Sequence, residues 1–125
     1  MTRNSQPQTV TIRNLSQPEI PPLEAKYCAS FLCRLRGLTF TKQLPPHWGL
    51  LLVQGRESRT DASIHMMGMW IDLCIVWINH DKRVVDVRLA RKWRSFIIPA
   101  QPAQYVLETS VAYLDHYQIG HELTF

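Results

Sequence analysis

The chain has 125 residues, a length near that of the commonest single domain and too short for two separate cores. Hydrophobic residues make up 46% and charged residues 19%, which excludes general disorder. The net charge of +4 is compatible with an anionic partner, but it is smaller than the excess of basic residues that dedicated nucleic-acid-binding proteins usually carry.

The N-terminal segment MTRNSQPQTVTIRNL lacks the apolar core of a signal peptide, and Asp72 interrupts the longest apolar run well before it could span a bilayer. We therefore expect a cytoplasmic protein that does not enter a membrane. We also expect residues 1–7 to be flexible and residues 8–125 to form a single α+β domain.

The three cysteines cannot all pair within one chain, and CASFLC has four residues between its cysteines where redox and zinc motifs usually have two. In a cytoplasmic protein this pattern favours reduced thiols that are mostly buried. We predict that state for Cys28, Cys33 and Cys74.

The first half of the chain contains three predicted strands and one helix. The alternating segments TVTIRNL and LEAKYCA, separated by a proline-rich turn, predict an opening hairpin. In SFLCRLRGL the apolar residues recur at helical spacing, with Ser30 as N-cap and Gly37 as terminator. GLLLVQG predicts a buried strand, and RESRTDAS predicts an exposed loop after it.

The second half begins with residues 71–78, in which both alternating sets are mainly apolar, as in a central strand. The turn NHDK and the strand RVVDVRLAR complete a second hairpin. A short apolar piece interrupted by Pro99 and Pro102 follows, and then AQYVLET predicts a strand, SVAYLDHYQIG a second helix and HELTF a last short strand. Six to eight strands and two short helices predict an α+β domain with a mostly antiparallel sheet, compatible with a small, partly closed barrel.

The order of VTIRNL, FLCRLRGLTF, GLLLV, SRTDASIHMMGM, VWINHDKRVV and AQYVLETSVAYLDHYQIGHEL resembles the domain of unknown function 192 (DUF192) family of small bacterial and archaeal proteins. The most specific segments are RGL at 36–38, IH at 64–65 with Met69 four residues later, and LE at 107–108 before a predicted helix and a glycine turn. The resemblance implies a compact α+β fold and no established reaction.

The chain departs from the family pattern at the entrance to the central strand. Family members commonly carry a proline, an apolar residue and an aspartate there, whereas this chain has Asp72, Leu73 and Cys74. If the family uses that aspartate in an active site, this protein has lost it.

The segment SIHMMGMWIDLC contains ligand types that favour Cu(I), and histidine with thiolate can also hold zinc. The candidate ligands are His65, Met67, Met69 and Cys74, and the first three share one face if the segment is a strand. However, methionine also fills irregular cores, so we favour packing in the sheet and expect neither a metal nor a cofactor.

Several polar residues in or beside the predicted sheet are candidates for ligand binding: Arg36, Arg59, His65, Asp72 and Glu108. We predict that a concave face near Arg36, His65 and Asp72 binds a small ligand or a protein. An unpaired buried carboxylate is costly, so we predict that Glu108 pairs with an arginine, with Arg36 as first choice. The alternative is that Glu108 points to solvent from an edge strand.

A second hypothesis is a small enzyme with His65 as general base, acting with Asp72 or Cys74. The sequence contains no complete catalytic set, and the apolar neighbours of Cys74 predict low thiol reactivity, so no catalytic residue is assigned.

A third hypothesis, weak nucleic-acid binding, rests on the segment RLARKWRSF. It places Arg91, Lys92 and Arg94 around Trp93, so that basic groups can contact phosphates while the indole stacks on a base. The chain lacks a glycine-rich RNA-binding signature and a helix-turn-helix pattern, which disfavours this hypothesis. We expect a monomer or a homodimer.

Overall fold

The structure, a computed structural model, describes residues 8–125, so the predicted flexible segment 1–7 lies outside the described residues. Its strands are β1 (Thr9–Asn14), β2 (Leu23–Cys28), β3 (Trp48–Ser58), β4 (Ile64–His65), β5 (Leu73–Ile78), β6 (Val84–Ala90), β7 (Phe96–Ile97), β8 (Ala103–Thr109) and β9 (Leu123–Thr124). The described chain also contains one α-helix, α1 (Phe31–Arg36), and a short 3-10 helix (Val111–Tyr113). Within this part of the chain, no helix has the length and apolar composition needed to cross a membrane.

Seven strands form one sheet in the order β6-β5-β8-β3-β2-β1-β9, and β4 pairs with β7 in a small separate sheet. The strand pairs are antiparallel except β2 and β3, which run parallel with Lys26 opposite Leu50. The chain crosses from β2 to β3 through α1 and residues 37–47, and such a long connection permits parallel pairing. The sheet is therefore mixed, which corrects the prediction of a mostly antiparallel sheet.

The molecule is largely β, because the second predicted helix is mostly absent. Only Val111–Tyr113 is helical in the segment SVAYLDHYQIG, and it forms a single 3-10 turn capped by Ser110. The backbone N–H of Gly120 instead donates to the carbonyl of Val84 at the start of β6, 2.8 Å away. Pairing with another strand has overridden the helical periodicity, so the predicted α+β class with two helices is wrong in this respect.

The large sheet curls into a half-barrel whose edge strands are bridged at one end. Arg83, just before β6, bridges to Glu122, just before β9. The N–H of Val84 donates to His121 O at 2.9 Å, and the N–H of Leu123 donates to Lys82 O at 2.9 Å. This curvature agrees with the predicted partly closed barrel.

The two faces of the sheet support two apolar cores. All six residues of β5 are buried, as expected for a central strand. Cys74, Val76 and Ile78 belong to the inner core, together with residues such as Ile12, Leu23, Leu51, Leu107 and Leu123. Leu73, Ile75 and Trp77 belong to the outer core, which residues 62–69 help to cover. The Trp77 indole N–H donates to Ala62 O at 2.7 Å and fixes part of this cover.

Helix α1 begins and ends as the sequence predicts. The side chain of Ser30 accepts from the Cys33 N–H at 3.2 Å, and Gly37 follows the last helical residue. Its apolar side chains are nevertheless exposed, with Phe31 at 69%, Leu32 at 74% and Leu35 at 61%.

A disulfide joins Cys28 at the end of β2 to Cys33 in α1, so the prediction of reduced thiols is wrong for this pair. The two-residue connection between strand and helix brings the two Cα atoms within 5.6 Å, a separation that a disulfide can span. Cys74 is free and buried, as predicted.

Candidate functional site

A cleft of about 690 Å³ lies between α1, β3 and β4. Its inner wall consists of apolar side chains that are buried, namely Leu38, Leu52, Ile64, Met66 and Met69. The exposed side chains of Phe31 and Leu35 from α1 also line it. The apolar surface that a ligand of modest size can contact therefore comes mainly from α1.

Glu108 is the one carboxylate that is both buried and part of this cleft, within the described residues. It lies on β8 opposite Leu50 of β3 and Ile75 of β5, so its cross-strand neighbours are apolar. Its Oε1 atom has no hydrogen-bond partner among residues 8–125. Burial raises the pKa of the Glu108 carboxyl to about 7, because the charged form is poorly solvated there.

The backbone of Gly37 passes close to this carboxyl group. A Cβ atom at Gly37 would lie 3.4 Å from Glu108 Oε1 and 3.9 Å from Oε2. The Gly37 N–H is not available to Glu108, because it donates to Cys33 O at 2.9 Å. Gly37 has φ of 52°, a left-handed conformation in which a side chain would be strained. The glycine thus lets the backbone pass close to the carboxyl group without supplying a donor.

The predicted Arg36–Glu108 ion pair is not formed. Both residues line the cleft, but Arg36 is exposed, and among the described residues the ion pairs are Arg56–Asp61, Arg83–Glu122 and Arg88–Asp86. As the last residue of α1, Arg36 belongs to a helix whose residues are all unburied. Nor does Glu108 reach solvent from an edge strand, because β8 lies between β3 and β5.

The other charged groups of the cleft are Arg34, Arg56, Asp61 and His65. The Arg34 guanidinium donates to Val53 O at 2.9 Å, and Arg56 pairs with Asp61 at 3.6 Å. His65 is exposed on β4, and its strand partner is Phe96 of β7. Two of the three arginines of the cleft therefore already have protein partners, whereas Arg36 forms no ion pair within the described chain.

The structure does not bring together the residues of the enzyme hypothesis. His65 lines the large cleft, whereas Asp72 lines a second depression of about 460 Å³ and accepts from the Lys92 N–H at 2.8 Å. Cys74 belongs to the inner core on the opposite face of the sheet. Burial raises the pKa of the Cys74 thiol to about 12, so thiolate is scarce at neutral pH.

The soft-metal candidates are also separated. Strand β4 ends at His65, and the turn after it buries Met66 and Met69 while Met67 is 68% exposed. The predicted shared face of His65, Met67 and Met69 is therefore wrong, because the segment is not a continuous strand. Two of the methionines pack in the outer core.

The remaining candidate residues lie outside the large cleft. Arg59 lines neither cavity and donates from Nε to Pro99 O at 3.0 Å. The side chains of the basic segment are all exposed: Arg91, Lys92, Trp93 and Arg94. The Trp93 ring stands edge-on to Trp70, with ring centroids 5.9 Å apart.

The sequence identifies Glu108, Arg36 and His65 as candidates, but it does not predict the cleft that all three residues line. The cleft exists because α1 crosses between two parallel strands with its apolar side chains uncovered, and no periodicity in the sequence indicates this. The sequence signals were an acidic residue inside the apolar strand AQYVLET for Glu108, and the family segments RGL and IH for Arg36 and His65.

The sequence profile of a family described as "Uncharacterized ACR", DUF192, matches residues 12–125. The chain belongs to the DUF192 family. This confirms the resemblance inferred from the sequence motifs. Family membership brings no established activity with it.

Relatives and solved structures similar to this DUF192 chain agree with the assignment. The "UPF0127 protein TK1120" of Thermococcus kodakarensis is 39% identical over 88 residues, which cover 70% of this chain and 54% of that protein. A UPF0127 protein of Thermococcus sibiricus is 34% identical over 100 residues, covering 78% and 63%. The chain thus spans between half and two thirds of these two relatives.

Among solved structures, a "putative transcription regulator (R01717)" of Sinorhizobium meliloti 1021 superposes with a TM-score of 0.85 at 19% identity. The superposition covers 98% of this chain and 97% of that one. At this level of identity the likeness concerns the fold alone.

Proposed function

We propose that this DUF192 protein is a small-molecule-binding domain whose ligand occupies the cleft between α1, β3 and β4. The observation that carries the proposal is the buried Glu108 carboxyl at the cleft, with Oε1 lacking a donor among the described residues. A buried polar atom without a partner costs about 1–3 kcal/mol, so a fold that keeps one beside an open cleft is well suited to a ligand that supplies the partner.

The apolar wall supports the same proposal. The exposed side chains of Phe31 and Leu35 supply a surface whose contact with an apolar ligand body excludes water, and Leu52, Met66 and Met69 lie buried beneath the cleft. Arg36 lines the exposed part of the cleft and forms no ion pair within the described chain. In this proposal no protein side chain performs covalent chemistry, since His65, Asp72 and Cys74 lie apart.

Benzyl alcohol is a suitable first probe because it combines a small apolar body with one hydroxyl donor. We expect its titration into ¹⁵N-labelled protein to shift the backbone amides of Leu52, Met66 and Met69 in NMR spectra. Gly55 lines the cleft, and a Cβ there meets no atom within 4 Å, so Gly55→Trp should place an indole in the cleft and suppress the shifts.

Met67→Trp is the matched control, because Met67 is exposed and does not line the cleft. It should leave the shifts intact. Equal shifts in wild type and Gly55→Trp, or shifts confined to residues away from the cleft, would overturn the proposed function.

A second candidate, nucleic-acid binding at residues 91–94, is supported by the exposure of all four side chains, with Trp93 at 50%. The test is quenching of tryptophan fluorescence by single-stranded DNA at low salt. Binding that weakens steeply with salt and disappears in Arg91→Glu/Arg94→Glu would support this candidate, whereas unchanged fluorescence would reject it.

A further inference from the structure

Glu108 limits the chemistry of the ligand that the cleft can accept. Its carboxyl group lies on a central strand between the cross-strand neighbours Leu50 and Ile75, and Oε1 has no hydrogen-bond partner among the described residues. Glu108 is thus placed like one member of a buried ion pair. An ionised carboxylate in such surroundings is costly unless a cation that also donates hydrogen bonds lies beside it. The chain has an arginine one residue from Gly37, yet Arg36 is exposed and forms no ion pair with Glu108.

The other lining groups do not provide that cation either. Arg34 is engaged with Val53 O, and Arg56 is paired with Asp61. The N–H of Gly37, whose backbone passes close to the Glu108 carboxyl group, already donates to Cys33 O. None of these groups donates to Glu108 Oε1, so a molecule inside the cleft can supply the charged donor that this carboxyl group lacks.

We propose that the ligand is a primary amine with an apolar body, whose ammonium group donates to the Glu108 carboxylate while the body packs on Phe31 and Leu35. This proposal rests on the proposed function, because it names the ligand class for the same cleft. An ammonium group has three donors and a full charge, so it supplies both the hydrogen bond and the countercharge that Glu108 lacks. The hydroxyl of benzyl alcohol supplies the hydrogen bond alone.

The proposal makes binding depend on pH in a defined direction. Burial raises the pKa of Glu108 to about 7, so the carboxyl is mostly protonated at pH 6 and mostly ionised at pH 8. An aliphatic amine keeps its charge over this range, so its affinity should fall about tenfold from pH 8 to pH 6. Binding at pH 6 should also release close to one proton from Glu108.

The charged and titratable groups facing the cleft beside Glu108 are Arg34, Arg36, Arg56, Asp61 and His65, while its cross-strand neighbours on β3 and β5 are apolar. Of these, histidine is the side-chain type that can gain charge in the same pH range and repel an ammonium ion. His65→Gln is therefore the required control and should retain the pH dependence.

The experiment compares benzylamine with benzyl alcohol by NMR titration at pH 6 and pH 8, and measures proton release calorimetrically in two buffers of different ionisation enthalpy. In the wild type, benzylamine should bind at least about tenfold more tightly than benzyl alcohol at pH 8, since a charge-assisted bond is stronger than a neutral one. In Glu108→Gln this advantage and the proton release should both disappear, while benzyl alcohol still binds.

The outcomes separate the two proposals. If benzyl alcohol shifts the cleft amides but benzylamine binds no better, or if Glu108→Gln keeps the advantage of the amine, the ligand class is overturned and the cleft remains a binding site. If neither probe shifts any cleft amide, both proposals fail. Amide spectra of Glu108→Gln show whether the variant has kept the fold, and loss of the pH effect in His65→Gln would reassign the effect to His65.

Discussion

At the scale of single residues, Glu108 is the feature with the clearest energetic consequence. Its side chain is 5% exposed, and burial raises the pKa of its carboxyl from 4.5 to about 7. The folded protein thus holds the proton more tightly than the unfolded chain does. The protonated form is compatible with the apolar surroundings, so ionisation of Glu108 in the folded state works against stability.

This linkage predicts how the stability of Glu108→Gln compares with that of the wild type. The stabilisation of wild type by the bound proton is complete below pH 4.5, is lost as the pH rises through 7, and amounts to at most about 3 kcal/mol. We expect the variant and the wild type to have similar free energies of unfolding at pH 5. At pH 8 the variant should be more stable, by about 1–3 kcal/mol, as measured by urea denaturation.

Glu19→Gln is the control for the general effect of removing a carboxylate, because Glu19 is exposed. Its stability difference from the wild type should stay near zero at both pH values. A Glu108→Gln variant that is less stable than the wild type at pH 8 would show that the ionised carboxylate has a partner in the folded protein.

At the scale of elements, α1 depends on few interactions. None of its residues is buried, and its attachments are the Cys28–Cys33 disulfide, the bond from Arg34 to Val53 O and the packing of Leu38 just after it. A helix of six residues is not stable in isolation. Its position beside the cleft is therefore sensitive to the disulfide.

Reduction with a dithiol should loosen α1 and leave the sheet intact. Hydrogen exchange at the Arg34 and Gly37 amides, which donate to Ser30 O and Cys33 O, should accelerate by about tenfold or more. The amides of β8, paired on both sides, serve as the internal reference and should not change. Unaltered exchange in α1 would mean that Leu38 and Arg34 suffice to hold the helix.

The same bond bears on the prediction of a cytoplasmic location, since disulfides are rare in a reducing cytosol. Rapid alkylation of thiols in intact cells, followed by mass spectrometry, determines the state of Cys28 and Cys33 directly. Two alkylated cysteines would fit the predicted location, whereas an intact disulfide would contradict it.

Strand β3 offers a matched pair of glycines for testing how tightly the sheet is packed. A Cβ at Gly49 would lie 2.9 Å from Glu108 O, 3.1 Å from Leu107 Cδ1 and 3.2 Å from Thr109 Cβ. Gly49→Ala should therefore destabilise the fold by about 1–3 kcal/mol. Gly55→Ala, whose Cβ meets nothing within 4 Å, should cost nothing measurable in the same denaturation assay.

The elements differ in how much of them the sequence predicts. Local periodicity located β1, β2, β5, β6 and β8, and capping chemistry located both ends of α1. Features that depend on distant residues were not predicted. One is the burial of Tyr113 and Tyr117 against the inner core, where the chain is irregular instead of forming a second helix. The other is the exposure of the apolar side chains of α1. For the site, a carboxylate in an apolar strand indicated Glu108, but its lack of a partner depends on side-chain directions that no sequence spacing specifies.

At the scale of the whole molecule, the bridge between the edge strands completes the inner core. Leu123 on β9 is 2% exposed and packs in that core. Leu123→Ala should cost about 2–4 kcal/mol, through lost burial and the cavity left behind. The melting temperature should fall by roughly 5–15 °C for a domain of this size.

Leu15→Ala is the matched control, because Leu15 follows β1 and its side chain is 53% exposed. Its melting temperature should stay within roughly 2 °C of the wild type. Equal losses in the two variants would show that closure of the half-barrel contributes little to stability.

The pairing of β1 with β9 joins Arg13 to Thr124 and Asn14 to Leu123, residues more than a hundred positions apart in the chain. Contacts between residues so far apart in the chain form late in folding. Closing the long loop between them reduces the conformational entropy of the chain before any contact compensates for the loss. During synthesis, β1 emerges from the ribosome long before its outer partner exists. Until residue 124 has emerged, the free edge of β1 is open to pairing with other chains, so the nascent protein is most prone to aggregation in this interval.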